Sequence, residues 1–299
     1  MKSRLIYWLT YAGMWLLALL PFKVLYILSD GLCFLMHHVV HYRRRVVRAN
    51  LCNAFPEKSA AELRDIEREF YRYICDYMLE EVKMLRMSFR ELCRRMEYDN
   101  KEEYLAMIEK HGGIVLLIPH YANFEWITGM SSIMQEGDIP VQIYKPLHNK
   151  YMDAMFKRIR TRFGGYNVAK HSTAREIIKL CRDNKRVAGG MINEQSPNPN
   201  EAHYWTTFLN QDTVFMDGAE RIAKLMDFPV FYCELQKQGR GYCRVRFDLI
   251  TETPKATADG EITECFARRL EQTIRREPPY WFWSHKRWKL KREDTIQHG

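Results

Sequence analysis

Two kinds of apolar run alternate with amphipathic stretches along this chain. The first kind is long and comes first. "LIYWLTYAGMWLLALL" (residues 5–20) carries no charge, Pro21 and Lys23 interrupt it, and "VLYILSDGLCFLMHHVVHY" continues in the same vein. The second kind is short: "IVLLIP" (114–119), "VQIYK" (141–145), "RVAGGMI" (186–192), "VFYCEL" (230–235) and "YCRVRFDLI" (242–250). Runs of that length, partly β-branched and without strict alternation, predict strands buried on both faces. Between them the period changes. In "PEKSAAELRDIEREFYRYICDYMLEEVKML", Leu63, Ile66, Phe70, Ile74, Tyr77 and Met78 fall near one helical face, and Ser59 with Glu62 has capping-box spacing. Ser88 with Glu91, Asn100 with Glu103 and Thr173 with Glu176 mark further helix starts, and "NKYMDAMFKRIRTRF", "DGAERIAKLMD" and "ADGEITECFARRLEQTIRRE" read as helices. Short strands alternating with helices predict an α/β fold with a mostly parallel central sheet flanked by helices.

The long N-terminal run separates the chain into residues 1–45, a membrane-anchoring helix, and residues 46–299, a globular domain. Residues 5–28 supply about twenty apolar positions, enough to span, with one lysine that can snorkel. Trp8, Tyr11 and Trp15 suit the interface. A signal peptide fits less well, because no A-x-A-like cleavage site follows, and a buried soluble helix is the other alternative. Arg43, Arg44 and Arg45 favour a cytoplasmic domain, whereas Lys2 and Arg4 mark the opposite end, so a hairpin or in-plane anchor stays open.

Composition narrows the partners. The formal net charge is +9, which favours an anionic membrane, nucleic acid, acidic protein or phosphorylated substrate. The eight cysteines form no CxxC and no repeated spacing, as expected for reduced thiols rather than a disulfide framework or zinc site.

The candidate chemistry lies after the buried strands, where α/β sheets gather their sites. "LLIPHYANFEW" ends the first short run with His120, then Asn123 and Glu125. A carboxylate holding one imidazole nitrogen would leave the other to accept a proton. A helix-capping histidine is the bland alternative. The spacing is not HExxH, so no metal is indicated, and no GxSxG elbow is present. The second run leads into Lys145, Arg160 and Arg162, and the third into Glu194 and Gln195. A basic helix face is often only solvated, but arginine's planar fork suits phosphate. At the C-terminus, "PPYWFWSHKRWKLKR" mixes aromatics with cations. That composition suits a membrane interface or single-stranded nucleic acid, and equally a core of tryptophans under a basic tail.

These blocks in this order resemble the lysophospholipid acyltransferase superfamily, and within it the bacterial lipid A biosynthesis acyltransferases of lauroyl/myristoyl type. The resemblance is carried by "YRRRVVRANLCNAFPE", "FYRYICDYMLEEVKML", "HYANFEW", "IYKPLHNKYMDAMFKRIRTRFGG", "MINEQSPNPN", "VFMDGAERIAKLMDFPV" and "WFWSHKRWK". It implies His120 as general base oriented by Glu125, with Asn123, Lys145, Arg160, Arg162, Glu194, Gln195 and Gly218 as substrate-binding candidates. It implies acyl carrier protein as donor, an anionic lipid A precursor as acceptor, no cofactor and no nucleic acid. The place implied is the inner membrane, with the catalytic domain facing the cytoplasm. Two positions depart from the pattern. Lys145-Pro146 stands where Arg-Pro is common, which removes a bidentate phosphate contact, and Glu194-Gln195 stands where Asp-Gln is common. An acyltransferase for another lysophospholipid, aminolipid or glycolipid is the nearest alternative. A non-catalytic membrane lipid-binding protein is the alternative from another class.

Overall fold

The computed structural model describes residues 2–146 and 149–293. Among these, seven strands form one sheet in the order β1-β9-β8-β2-β5-β3-β4. They are β1 (Met96–Asp99), β2 (Gly113–Leu117), β3 (Asp138–Tyr144), β4 (Tyr166–Ala169), β5 (Arg186–Met191), β8 (Val230–Gly239) and β9 (Tyr242–Thr251). Only β8 and β9 pair antiparallel; every other pairing is parallel. The hairpin β6 (Tyr204–Phe208) and β7 (Gln211–Phe215) stands apart as a second sheet. The expected α/β class is therefore what forms. All five positions of β2 are buried, which explains its unbroken apolar run: a central parallel strand has helices over both faces.

The long helix α4 (Ala60–Lys83) starts as the spacing predicts. The Ser59 hydroxyl accepts the Glu62 N–H at 3.3 Å and Glu62 accepts the Ser59 N–H at 2.8 Å. Asn100 behaves differently. Its side chain does not cap α6 (Lys101–His111) but pairs with the backbone of Phe247 in both directions, tying that turn to β9.

At the N-terminus, the structure replaces a continuous helix over residues 5–28 by two. α1 (Lys2–Leu19) stops before Pro21, and α2 (Phe22–Phe34) begins after it, running on through a wider turn at Leu35–Val39. Proline lacks the N–H that helix continuation needs, so the break falls there. The segment Phe22–Val39 is long and apolar enough to cross a membrane by length and composition. Leu16, Ile27, Phe34 and Val39 are exposed. Helix α4 grips both pieces through polar side chains. The Lys83 ammonium donates to the Ala18 and Leu20 carbonyls at 2.9 and 2.7 Å, capping α1. The Tyr26 hydroxyl reaches Glu80 at 3.0 Å, and that of Ser29 reaches Asp76 at 2.7 Å.

The C-terminal aromatics are core rather than interface. Trp281 and Trp283 are buried, the Trp283 indole N–H donates to the Pro278 carbonyl at 2.6 Å, and Trp281 forms an isolated bridge with Tyr121. The last described stretch thus closes over the loop that follows β2.

Candidate active site

Strand register decides which side chains meet. Leu117 at the end of β2 lies opposite Met191 at the end of β5, and the Ile118 N–H continues the ladder to the Met191 carbonyl at 2.8 Å. Three residues further along each chain stand His120 and Glu194. Close approach of the two strands is served by Gly190, where a Cβ would fall 2.9 Å from the Ile118 side chain.

Glu194 is buried, and its Oε1 accepts both the His120 backbone N–H at 2.6 Å and the ring Nδ1–H at 2.7 Å. Burial pushes the Glu194 pKa up, but the His120 charge and these hydrogen bonds outweigh it, so the carboxyl is held below its usual range. A carboxylate on Nδ1 assigns the proton there in the neutral ring and leaves the Nε2 lone pair facing outward. The Gln195 side-chain amide lies 2.9 Å from Nε2 and donates to it. Aromatic rings wall the imidazole. Phe124 stands edge-on at 4.6 Å and Phe282 at 5.8 Å between centroids, with Tyr77 stacked on Phe124.

The carboxylate that the HxxxxE spacing puts against His120 goes elsewhere. Glu125 forms a two-pronged ion pair with Arg160 of α7 (Lys150–Thr161), at 2.9 and 2.5 Å. The cause is local. Ala122 adopts φ 47°, a left-handed conformation uncommon outside glycine. Its N–H bonds the Tyr280 carbonyl at 2.9 Å, and its own carbonyl accepts the Tyr73 hydroxyl at 2.8 Å. The chain turns at that point into a 3-10 helix, Phe124–Ser132, whose first turn aims Glu125 at α7. Glu81 of α4 completes this cluster. Burial and the Glu125 charge hold its carboxyl well above the usual range, against the pull of Arg160.

The remaining candidates divide. Asn123 is buried and donates to Glu80 at 2.7 Å, away from His120. Arg162 donates to the Met84 and Met87 carbonyls at 2.5 and 3.2 Å, so it closes the end of α4. Lys145 is exposed beyond β3. Gly218 opens α9 (Gly218–Met226) with open space where a Cβ would be. Its neighbourhood touches the site through the Met216 N–H, which bonds the Asn193 carbonyl at 3.3 Å. Nothing in the sequence marks Phe124 or Glu81 for this site, and Phe282 stands in the C-terminal block of aromatics and cations that suits a membrane surface, nucleic acid or a buried core alike.

Sequence comparison with known proteins finds relatives over nearly all of the chain. It is 22% identical over 295 residues to the lipid A biosynthesis lauroyltransferase of Escherichia coli (strain K12), covering 96% of this chain and 93% of that protein. It is 23% identical over 224 residues to a lipid A biosynthesis acyltransferase of Haemophilus influenzae (strain ATCC 51907 / DSM 11121 / KW20 / Rd), covering 73% and 68%. Residues 1–290 match the family described as bacterial lipid A biosynthesis acyltransferase, and the chain belongs to that family.

Proposed function

We propose that this acyltransferase moves a fatty acyl chain from an acyl thioester, carried by acyl carrier protein, to a hydroxyl of a lipid A precursor. His120 is the general base in this reading. The observation that carries it is the imidazole fixed on Nδ1 by a buried carboxylate, with Nε2 against the Gln195 side-chain amide and Phe124 and Phe282 beside the ring.

The acceptor hydroxyl displaces the Gln195 amide from Nε2. His120 takes its proton as the oxygen attacks the thioester carbonyl. The tetrahedral intermediate collapses, the carbon–sulfur bond breaks, and the leaving thiolate takes the proton from the imidazolium. Ester and thiol are the products, and the protein forms no covalent bond. Glu194 orients the ring and stabilises its charged form. Gln195, freed from the ring, is a hydrogen-bond donor beside the developing oxyanion.

Glu125 acts through Arg160 in this scheme, holding a guanidinium close to Tyr77, which stacks on Phe124 beside the imidazole, where a sugar phosphate would gain from it. Lys145 and the backbone amides at Gly218 are further anion contacts. Residues 1–45 form the membrane anchor and residues 46–299 the catalytic domain, at the inner membrane and facing the cytoplasm. The exposed apolar side chains of α1 and α2 support that placement. The excess of basic residues fits both an acidic carrier protein and a phosphorylated lipid.

The test is acyl transfer in vitro. Purified wild type and His120→Ala are given a lipid A precursor with a panel of acyl carrier proteins, and products are read by mass. One acyl addition by wild type, reduced by roughly a hundredfold or more in the variant, is expected. Equal transfer by both proteins would overturn the base assignment. Transfer to other lipids, but not to lipid A precursors, would overturn the acceptor.

A further inference from the structure

A cleft of about 760 Å³ opens between α3 (Arg44–Ala54), the start of β7 and residues 286–293. Its floor is partly apolar, with Val46, Trp288 and Leu290 half-buried in it. Its rim is cationic. Arg45, Lys286 and Lys289 are exposed there and make no ion pair among the described residues. Asp212 is taken by Arg292 at 2.8 and 3.0 Å, which leaves Glu293 as the other carboxylate of the lining.

Side-chain hydrogen bonds hold the walls together. The Trp288 indole N–H donates to the Thr213 hydroxyl of β7 at 2.7 Å, and the ring meets Trp281 at 5.9 Å between centroids. The Asn53 amide of α3 donates to the Gln211 side-chain carbonyl at 3.3 Å. The cleft is also joined to the site around His120. Asn50, in its wall, donates to the carbonyls of Trp283 and His285 at 2.8 and 3.0 Å. Phe282, just before them, stands 5.8 Å from the imidazole between centroids, and Lys286 follows His285. One short segment thus runs from the imidazole to the rim.

Uncommitted cations around an apolar floor select a partner with the converse pattern, an apolar stripe flanked by carboxylates. An acidic amphipathic helix has that pattern and the convex shape that fills a groove. A bilayer is flat, and exposed apolar side chains that suit one, such as Leu16, Ile27 and Phe34, lie on α1 and α2 instead. We propose that this cleft is the docking surface for acyl carrier protein, taking an acidic amphipathic helix of the carrier while the acyl-bearing arm extends along residues 282–286 to His120. The inference rests on the reading of acyl carrier protein as the donor.

The experiment gives the full-length enzyme, in detergent micelles with a lipid A precursor, two donors in turn. One is the acyl thioester of acyl carrier protein, and the other is the same acyl chain on pantetheine, which has no protein to dock. Wild type is compared with the triple variant Arg45→Glu/Lys286→Glu/Lys289→Glu. The ratio of kcat/KM for the carrier donor to that for the pantetheine donor is expected to fall about tenfold or more in the variant, through KM for the carrier. Raising the ionic strength from about 0.05 to about 0.3 M should lower the ratio for wild type and change it little in the variant. An unchanged ratio overturns the inference, and so does a fall carried by kcat alone. If the charge reversals prevent folding, Lys286→Gln/Lys289→Gln decides: a lowered ratio supports the cleft, and an unmoved one overturns it. Binding to vesicles of phosphatidylglycerol and phosphatidylethanolamine in equal parts tests the bilayer as occupant. A triple variant that loses vesicle binding but keeps the ratio overturns the inference and assigns the rim to the membrane. The two readings fail separately. A wild type that accepts acyl coenzyme A but no acyl carrier protein removes the donor assignment and the docking surface with it. Use of the carrier by wild type and triple variant alike removes only the docking surface.

Discussion

One oxygen of Glu194 binds His120 twice, at 2.7 Å to the ring Nδ1 and at 2.6 Å to the backbone nitrogen. The second contact fixes where the carboxylate sits, and the first fixes which nitrogen carries the proton. Glu194→Gln keeps the shape but removes the charge that stabilises the imidazolium. Its kcat is expected to fall on the order of a hundredfold or more with KM little changed, since the loss is felt as charge develops on the ring. A rise in KM at constant kcat in steady-state assays would instead assign Glu194 to ground-state binding.

The same contact has a pH signature in stability. The folded-state pKa of Glu194 is depressed below its unfolded value. Its stabilisation is therefore present in full above the unfolded carboxylate pKa, about 4.3, and is lost as pH falls through the lower folded value. Thermal melts of wild type and Glu194→Gln should differ most near pH 7 and converge below about pH 4. A gap that stays constant down to pH 3 would show that packing, not ionisation, separates the two proteins.

The fold was legible where the pattern was strong. Buried runs such as "IVLLIP" and "RVAGGMI" announced the central parallel strands, and Ser59 with Glu62 announced α4. The four-residue strands β1 and β4 and the β6–β7 hairpin were not read, because segments that short carry too little periodicity to separate from loop. His120, Glu194 and Gln195 were all candidates, each for standing after a buried run. What spacing does not reveal is which carboxylate meets the ring. That answer needs the β2–β5 register and the left-handed Ala122 that turns Glu125 away. Nor does composition distinguish the buried Trp281 and Trp283 from interfacial aromatics, because tryptophan among lysines and arginines suits both.

Glu81 and Glu125 sit in one cluster and should respond unequally to the same substitution. Glu125 is ion-paired to Arg160, with side-chain exposures of 14% and 22%. Removing its charge leaves a partly buried guanidinium uncompensated, at about 2–4 kcal/mol. Burial holds the Glu81 carboxyl well above the usual carboxylate range, which favours its neutral form, and Glu81→Gln, which fixes a neutral group there, is expected within about 1 kcal/mol of wild type. Denaturant or thermal unfolding of the two variants checks this. Equal, large losses would mean that Glu81 is ionised and shares Arg160 with Glu125.

The C-terminal segment offers the clearest contrast between packing and surface charge. Trp283 has no exposed surface, meets Trp281 edge-on at 4.8 Å and Phe55 at 5.7 Å, and its indole N–H is satisfied by Pro278. The Asn50 amide donates to the Trp283 carbonyl at 2.8 Å, tying the same residue to α3 (Arg44–Ala54). Trp283→Ala therefore opens a cavity beside Trp281 and Phe55, and about 3–5 kcal/mol of stability should go with it. Lys286, three residues on, is exposed, and Lys286→Ala is expected within about 0.5 kcal/mol of wild type. Because Trp281 bridges Tyr121 and the Tyr280 carbonyl holds the Ala122 N–H, the tryptophan variant should also lose acyl transfer at temperatures where it is still folded. Unfolding curves paired with activity at 15 °C to 25 °C separate these effects, a range chosen as roughly that of maximum domain stability. A Trp283→Ala protein as stable as wild type would return the C-terminal aromatics to the membrane surface.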